Sequence, residues 1–323
     1  MESEKINSYT AADGFPSKIF HNRELIDSIV SFKQIPPIHV QFIPTNKCNL
    51  DCDFCSCSNE NRGLEMDLPD INSMIAELRS LGTQSVTLTG GGDPMMHPHI
   101  DYIVDGFLRN SISVGMVTNG TMLHALEPNE ITWCRISNGD RRELTDSYKS
   151  KLEAAVSKNP DIDWAFSHVV STDPNYDEMV RVIEFANSND FTHVRIVPDI
   201  TQSDKIDISK VMERLTQMVD TEKVIFQPRN DPRKGSDCYI CYLKPIISAD
   251  GRIYTCCGAQ YAFSDEDRAM PDELCLGTIE GLESIIAKSK EPFDGSMCNK
   301  CYYTSYNSLL GKMMADLEHV EFV

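Results

Sequence analysis

Four of the twelve cysteines lie within eleven residues, in the segment KCNLDCDFCSC at residues 47–57. Thiols crowded in this way can form disulfides, bind zinc, hold an iron–sulfur cluster or include a spare buried thiol. Structural zinc sites usually combine two CxxC-like pairs, whereas three thiolates on one loop suit a [4Fe–4S] cluster with one iron left open. We therefore predict that Cys48, Cys52 and Cys55 are cluster ligands and that Cys57 is not.

A second group of cysteines occupies the C-terminal part of the chain, where seven of the twelve fall in the last 86 residues. The segment KPIISADGRIYTC is typical of a β-hairpin with its turn at Asp250-Gly251. Ligands at the base of that hairpin and a CxxC pair from a later loop can converge on one metal site. The spacing alone leaves a structural zinc ribbon open as an alternative.

The sequence around the first group of cysteines alternates between apolar, β-branched runs and stretches with the period of a helix. Candidate strands are residues 38–44, 85–89, 113–119, 131–137, 163–170, 193–198 and 223–227, and candidate helices lie near 69–81, 98–110, 141–158, 174–189 and 206–220. Strand–helix alternation predicts a parallel sheet covered by helices. The six strands before residue 200 are fewer than the eight of a closed barrel, so we predict an α/β fold, an open partial (β/α)6 barrel.

The composition changes near residue 227, because most of the cysteines and the predicted hairpin come after it. We therefore divide the chain into three regions. We predict an N-terminal extension at 1–37, the partial barrel at 38–227 and a small cysteine-rich C-terminal domain at 228–323. The hairpin and most of the cysteines belong to the third region.

Three segments rich in glycine or asparagine end consecutive strands: TGGGDP at 89–94, VTNGT at 117–121 and RISNGD at 135–140. In parallel α/β sheets the carboxyl ends of the strands build the active site. Glycines there let the backbone approach a small ligand, although Asn-Gly is first of all a turn signal.

The segment CNLDCDFC resembles the CxxxCxΦC loop of the radical S-adenosylmethionine (SAM) superfamily, with Phe54 as the aromatic position. The resemblance implies that Cys48, Cys52 and Cys55 hold three irons and that SAM chelates the fourth. Reduction would cleave SAM to methionine and a 5′-deoxyadenosyl radical, which takes a hydrogen atom from a substrate C–H bond. It also implies further contacts with SAM, at Phe54, Gly90, Gly91, Gly92, Asp93, Asn119, Ser137 and Arg195.

Three features of this set depart from the family pattern or have a second interpretation. Asp93 stands where the family usually has glutamate, and Asn138-Gly139 departs from the ISLD found in related members. Arg195 is expected to face the SAM carboxylate, with a structural salt bridge as the alternative.

The C-terminal pattern C-x9-G-x4-C, followed by LGTI and CNKC, resembles the Twitch/SPASM extension of radical SAM enzymes. The resemblance implies a second, auxiliary [4Fe–4S] cluster. Its expected ligands are Cys241, Cys256, Cys298 and Cys301, with Cys238 as the main rival of Cys241. The absence of cysteines after Cys301 favours the shorter, single-cluster Twitch form.

The charge and the hydrophobic pattern of the sequence limit the classes of partner that we expect. The chain of 323 residues has a formal net charge of −19, and its nearest basic patch is the short segment QPRNDPRKG at 227–235. Such a charge disfavours nucleic acid as a partner. No apolar run approaches the roughly 20 residues that span a bilayer, and no secretory signal begins the chain. We therefore expect a cytoplasmic protein with reduced thiols and no membrane partner.

The expected function is radical SAM oxidation or rearrangement of a small-molecule or peptide substrate, with a reductant such as flavodoxin or ferredoxin. About 37 residues precede the first predicted strand, fewer than the leader-binding domain of peptide modifiers needs, which favours a small or locally presented substrate. Two alternatives remain: modification of a nucleic acid base, and a non-catalytic zinc or iron–sulfur protein.

Overall fold

The computed structural model describes residues 17–127, 130–229, 233–264 and 267–319. Residues 1–16 of the predicted N-terminal extension lie outside this range, as do residues 230–232 of the short basic segment. Within the described residues, no helix is long and apolar enough to cross a membrane.

Strands and helices alternate through the first two thirds of the chain. The strands are β1 (His39–Phe42), β2 (Ser85–Leu88), β3 (Ser113–Thr118), β4 (Trp133–Gly139), β5 (Asp163–Val170), β6 (His193–Pro198), β7 (Val224–Phe226), β8 (Asp237–Cys238), β9 (Ile246–Ile247), β10 (Arg252–Tyr254), β11 (Cys275–Thr278) and β12 (Phe293–Asp294). The helices are α1 (Arg23–Phe32), α2 (Leu68–Ser80), α3 (Ile100–Arg109), α4 (Asp146–Lys158), α5 (Tyr176–Ser188), α6 (Ile208–Leu215), α7 (Ile240–Leu243), α8 (Leu282–Ala287) and α9 (Thr304–Met314).

Ten of these strands form one sheet in the order β11-β10-β9-β1-β2-β3-β4-β5-β6-β7. Strands β1 to β7 are parallel to their neighbours, and β9 is parallel to β1. The sheet is open, because β7 and β11 are its two edges. This confirms the predicted α/β partial barrel. The sequence did not indicate that the C-terminal hairpin continues the same sheet beyond β1.

Local capping sets where the helices begin. Helix α4 begins at Asp146 because the Thr145 side chain accepts a hydrogen bond from the backbone N–H of Tyr148. The prediction had placed this start at residue 141. Helix α5 begins after Asn175, which caps the N–H of Glu178, so Pro174 precedes the helix and does not open it.

The two faces of the sheet have different chemistry, as β4 shows. Cys134 and Ile136 are fully buried in the core beneath the helices, as a cysteine inside a strand predicts. The alternate residues Trp133, Arg135 and Ser137 line a cavity inside the curve of the sheet. Each large apolar side chain buried on the outer face stabilises the fold by about 1.5–3 kcal/mol. Because the outer face supplies this stabilisation, the inner face can carry polar groups.

Candidate active site

A cavity of about 2020 Å³ occupies the inside of the barrel and reaches the C-terminal cysteines. Cys48, Cys52 and Cys55 line one part of it, and a second part is lined by Cys238, Cys256, Cys257, Cys298 and Cys301. Members of both predicted cysteine groups therefore open onto one space.

The first cysteine loop follows β1 directly and leaves its three predicted ligands partly exposed. The backbone N–H of Cys55 donates to the carbonyl of Cys52 at 3.1 Å, which closes a tight turn. Burial is the main cause that raises the pKa of the Cys52 thiol to about 11, and the neighbouring Cys55 adds to it. Positive charge is also close, since Arg62 Nη2 lies 3.7 Å from Cys55 Sγ.

Cys57 differs from the three cysteines before it. Its side chain is buried, and its thiol donates to the carbonyl of Gly90 at 3.2 Å. Burial, with a contribution from the charge of Cys55, raises its pKa to about 12. Cys57 thus connects the cysteine loop to the segment after β2, and its role as a non-ligand stays a prediction.

The glycines after β2 allow two loops to approach each other closely. A β-carbon at Gly91 would lie 1.8 Å from Asn46 Oδ1, and one at Gly92 would lie 2.0 Å from the carbonyl oxygen of Lys47. Gly90, Gly91 and Gly92 also line the cavity. The direct demand for glycine here comes from packing against the cysteine loop, and a contact with SAM stays a prediction.

Asp93 is buried and joins the ends of β2 and β3. Its carboxylate accepts hydrogen bonds from the Thr118 hydroxyl at 2.9 Å and from the backbone N–H groups of Asn119 at 2.6 Å and Met95 at 2.9 Å. Burial raises the pKa of the Asp93 carboxyl, although these hydrogen bonds oppose that effect. Asp93 therefore positions Asn119, and its own contact with SAM stays a prediction.

Asn119 faces the cysteine loop. Its Nδ2 donates to Asn49 Oδ1 at 2.9 Å and lies 3.9 Å from Cys48 Sγ. The end of β3 is thus fixed to the loop that carries the three thiols.

The remaining predicted contacts lie on β4, on β6 and in the cysteine loop. Ser137 lines the cavity, and its carbonyl accepts a hydrogen bond from Arg142 at 2.9 Å. Arg195 forms no salt bridge within the described ranges and instead donates to the Ser167 hydroxyl, from Nε at 3.3 Å and Nη2 at 2.9 Å. Phe54 packs against Gly139, the position that departs from the family pattern.

The second cysteine group is assembled by backbone pairing between distant segments. The backbone N–H of Gly235 donates to the carbonyl of Cys298 at 2.8 Å, and Arg233 pairs with Cys301. Strand β12 pairs with β8, which contains Cys238. Burial is the first cause that raises the pKa of Cys298 to about 11, followed by the charges of Cys238 and Cys301.

Cys238 and Cys241, the two rival ligands predicted for the auxiliary cluster, differ in exposure. Cys238 lines the cavity, whereas Cys241 is fully buried and donates its thiol to the carbonyl of Cys238 at 3.2 Å. Cys275 lies on β11, away from the cavity lining, with its thiol 3.4 Å from the carbonyl of Gly277. Cys257 lines the cavity and lies 3.1 Å from the Tyr303 hydroxyl.

Sequence reasoning missed the cationic groups inside the barrel. Arg135, Arg229 and Lys244 line the cavity together with Arg195. The alternation of polar residues in ITWCRIS placed Arg135 on one face of a strand. Because the pattern does not show which face turns inward, it could not reveal that these groups meet.

A comparison with family models matches residues 42–137 to the radical SAM superfamily. Among curated proteins, 7-carboxy-7-deazaguanine synthase of Haemophilus influenzae is 28% identical over 86 residues, which cover 27% of this chain and 37% of that protein. A probable GTP 3′,8-cyclase of Pyrobaculum aerophilum is also 28% identical over 86 residues, covering 26% of this chain and 27% of that protein. The aligned segments thus span little more than a quarter to a third of these relatives.

Solved structures show the same fold over more of the chain. Streptococcus suis SuiB bound to the precursor peptide SuiA has a TM-score of 0.59 at 14% identity, covering 90% of this chain and 76% of that one. Native anSMEcpe with bound AdoMet and the Kp18Cys peptide has a TM-score of 0.50 at 13% identity, covering 86% and 96%. The chain therefore contains a segment, residues 42–137, that matches the radical SAM superfamily; it lies in a parallel partial barrel and is followed by a cysteine-rich C-terminal region.

Proposed function

We propose that the protein is a radical SAM enzyme that removes a hydrogen atom from a C–H bond of a substrate held inside the barrel. The observation that carries this proposal is the placement of Cys48, Cys52 and Cys55. All three are partly exposed on one loop, at the rim of the cavity that would take the substrate. A radical made at that rim would be generated beside the substrate.

The residues present fit the [4Fe–4S] cluster and the SAM that a radical SAM domain implies. Thiolates are the ligands such clusters use, and the loop supplies three of them. The thiol of Cys57 is instead hydrogen-bonded to the carbonyl of Gly90. Among the described side chains, no three of the His, Cys, Asp or Glu residues are placed to hold a single metal ion. A cluster makes a different demand, since each thiolate binds a separate iron.

When bound, the cluster and SAM supply a 5′-deoxyadenosyl radical, and the protein's own groups would hold both in place. Asn119 Nδ2 and Arg62 Nη2 lie beside Cys48 and Cys55, respectively, where they would stabilise the thiolate charges. Hydrogen bonds and positive charge at cluster sulfurs are among the means by which a protein adjusts the reduction potential. Phe54, resting on Gly139, would form an apolar contact on the SAM side of the loop.

For the second site we propose an auxiliary [4Fe–4S] cluster. Four thiols open onto the cavity and suit it: Cys238, Cys256, Cys298 and Cys301. The set with Cys241 in place of Cys238 is the alternative, and it would need the fully buried Cys241 thiol to turn outward. Because the second site shares the cavity with the first, a cluster there would be placed to accept an electron from the substrate radical or to bind the substrate.

The substrate class that we propose is a small molecule or a peptide. The peptide-bound SuiB and anSMEcpe structures and the curated deazaguanine synthase and GTP cyclase relatives support this range without choosing within it. A flavodoxin or ferredoxin is the proposed source of the reducing electron.

Anaerobic reconstitution of the full chain tests this function. We expect about eight irons and eight sulfides per chain if both sites are filled, and formation of 5′-deoxyadenosine and methionine from SAM with dithionite. Chromatography of the products is the measurement, and Cys52→Ser is the matched inactive control. A cluster-replete sample that forms no 5′-deoxyadenosine would contradict the proposal, and zinc in the C-terminal site would contradict the second cluster.

A further inference from the structure

Four cationic side chains from four separate segments line one cavity inside the barrel. Arg135 is on β4, Arg195 is on β6, Arg229 follows β7, and Lys244 precedes β9. All four line the cavity. Burial is the first cause that lowers the pKa of Arg195, and the charges of Arg135 and Arg229 lower it further. Burial is also the first cause that lowers the pKa of Lys244, and the charge of Arg135 adds to it, so the four cations lie close enough to interact.

No acidic side chain of the described residues neutralises this group. None of the ion pairs there includes any of the four cations. Asp163 lines the same cavity without pairing with them. The chain as a whole has a net charge of −19, so this local excess of positive charge runs against its composition.

The two inner arginines are held by neutral groups. Arg195 donates to the Ser167 hydroxyl, and the Arg135 guanidinium lies 5.3 Å from the centre of the Trp133 ring. Arg135 Nε is buried and has no hydrogen-bond partner. Burying like charges together is unfavourable, and an oxyanion bound between Arg135 and Arg195 would offset that cost.

The register of the sheet places this group below the rim. Ser137, Ser167 and Arg195 are paired at one level across β4, β5 and β6. Arg135 lies two residues nearer the amino end of β4, about 6–7 Å deeper in the barrel. A group bound between Arg135 and Arg195 would therefore lie beneath the loop that carries Cys48, Cys52 and Cys55, with room above it for the rest of a ligand.

We propose that Arg135, Arg195, Arg229 and Lys244 form an oxyanion-binding subsite that holds a phosphate or carboxylate group of the substrate. Planar guanidinium groups bind both oxyanions in bidentate fashion, and the lysine adds a compact charge. Identification of the ligand as the substrate rests on the proposed function, whereas oxyanion binding itself does not. This assignment differs from the expectation that Arg195 faces the carboxylate of SAM.

Calorimetric titration of the anaerobic holoenzyme, saturated with SAM, tests the subsite with inorganic phosphate and with citrate as separate probes. We expect at least one probe to bind and its affinity to fall by about tenfold or more in Arg135→Gln and in Arg229→Gln. Arg109→Gln, at an exposed arginine of α3, is the matched control and should bind as the wild type does. The probe that binds better distinguishes a phosphate from a carboxylate ligand.

Thermal denaturation of the same samples gives a second readout. The anion should raise the Tm of the wild type and of Arg109→Gln, and should leave the Tm of Arg135→Gln nearly unchanged. Because Arg229 is partly exposed, its variant keeps the test valid if Arg135→Gln does not fold.

Three results would overturn the subsite: binding of neither probe, equal affinity in Arg135→Gln and Arg109→Gln, or, in a second titration begun without SAM, displacement of the bound anion when SAM is added. The last would assign the arginines to SAM. The wild type is assayed separately for 5′-deoxyadenosine, so the two proposals fail independently. Arginine-dependent anion binding without SAM cleavage would retain the subsite and reject the proposed function, and the converse would do the opposite.

Discussion

Gly139 is the residue that lets the ring of Phe54 rest on the end of β4, since a β-carbon at position 139 would lie 2.4 Å from Phe54 Cε1. The contact joins the loop carrying the three cluster thiols to a strand that is distant in sequence.

Gly139→Ala should therefore destabilise the protein and disturb the cysteine loop. We expect a loss of about 1–3 kcal/mol in the free energy of unfolding, the usual cost of overpacking, and weaker SAM binding. Urea denaturation and calorimetry measure the two effects. Gly281→Ala is the control, since nothing lies within 4 Å of a β-carbon there. Adding Phe54→Ala should remove most of the penalty of Gly139→Ala, and additive effects in this double-mutant cycle would argue against the contact.

Asp93→Asn should destabilise the junction between β2 and β3. The amide would place a donor against the donors Thr118 and Asn119, which now bond to the carboxylate. We expect a loss of about 1–3 kcal/mol, measured by urea denaturation. Asp105→Asn, at an exposed carboxylate that pairs with Arg109, should cost less than about 1 kcal/mol. Equal losses in both variants would show that the buried hydrogen bonds contribute little.

The two kinds of cysteine in the first loop should respond differently to serine. Cys52→Ser should lose the iron of the first site and abolish SAM cleavage, because a ligand is removed. Cys57→Ser should retain both, since its buried thiol bonds to the carbonyl of Gly90. Iron content and 5′-deoxyadenosine formation are the measurements, and the reverse outcome would overturn the ligand assignment.

A parallel pair of variants decides the second site. Cys238→Ser should lower the iron content of the reconstituted chain from about eight to about four. Cys241→Ser should leave it near eight, because the Cys241 thiol is directed to the backbone carbonyl of Cys238 inside the core. Iron loss in the second variant alone would assign the ligand to Cys241.

The carboxyl of Asp140 makes the free energy of unfolding depend on pH. Burial acts to raise its pKa, but hydrogen bonds from His168 and the Ser171 N–H, with the charge of His168, outweigh it, so the pKa lies below the usual value. A lowered folded-state pKa stabilises above the unfolded value of about 3.9. The excess stability of wild type over Asp140→Asn should thus persist from pH 7 to about 5 and shrink as pH falls below about 4. Urea denaturation across this range measures it, and a constant difference would contradict the assignment.

The strands of the partial barrel and their order along the chain could be predicted from the sequence, because apolar, β-branched runs are local signals. The bounds of β5 and β6 agree with the prediction residue for residue, and β4 extends two residues past its predicted end to reach Gly139. Helix α4 begins later than predicted because the capping hydroxyl of Thr145 stops it from extending backward.

The candidate site was predicted only where its residues are close in the chain. The three thiols share one loop, so their spacing was enough to predict that they lie together, and their role as ligands stays a prediction. The convergence of Arg135, Arg195, Arg229 and Lys244 depends on sheet register and on how the C-terminal segment returns to the barrel. The choice between Cys238 and Cys241 depends on which thiol faces the cavity. Neither of these features is encoded in a local pattern.

The pairing of β9 with β1 makes the two cysteine groups mechanically one unit. The backbone N–H of Gln41 donates to the carbonyl of Pro245, and that of Ile43 donates to the carbonyl of Ile247. The strand leading to Cys48 is therefore hydrogen-bonded to the hairpin leading to Cys256. Separating the two groups would require breaking this ladder inside a buried sheet. Electron exchange between clusters bound at the two sites would therefore take place across a gap that this hydrogen-bonded ladder holds fixed.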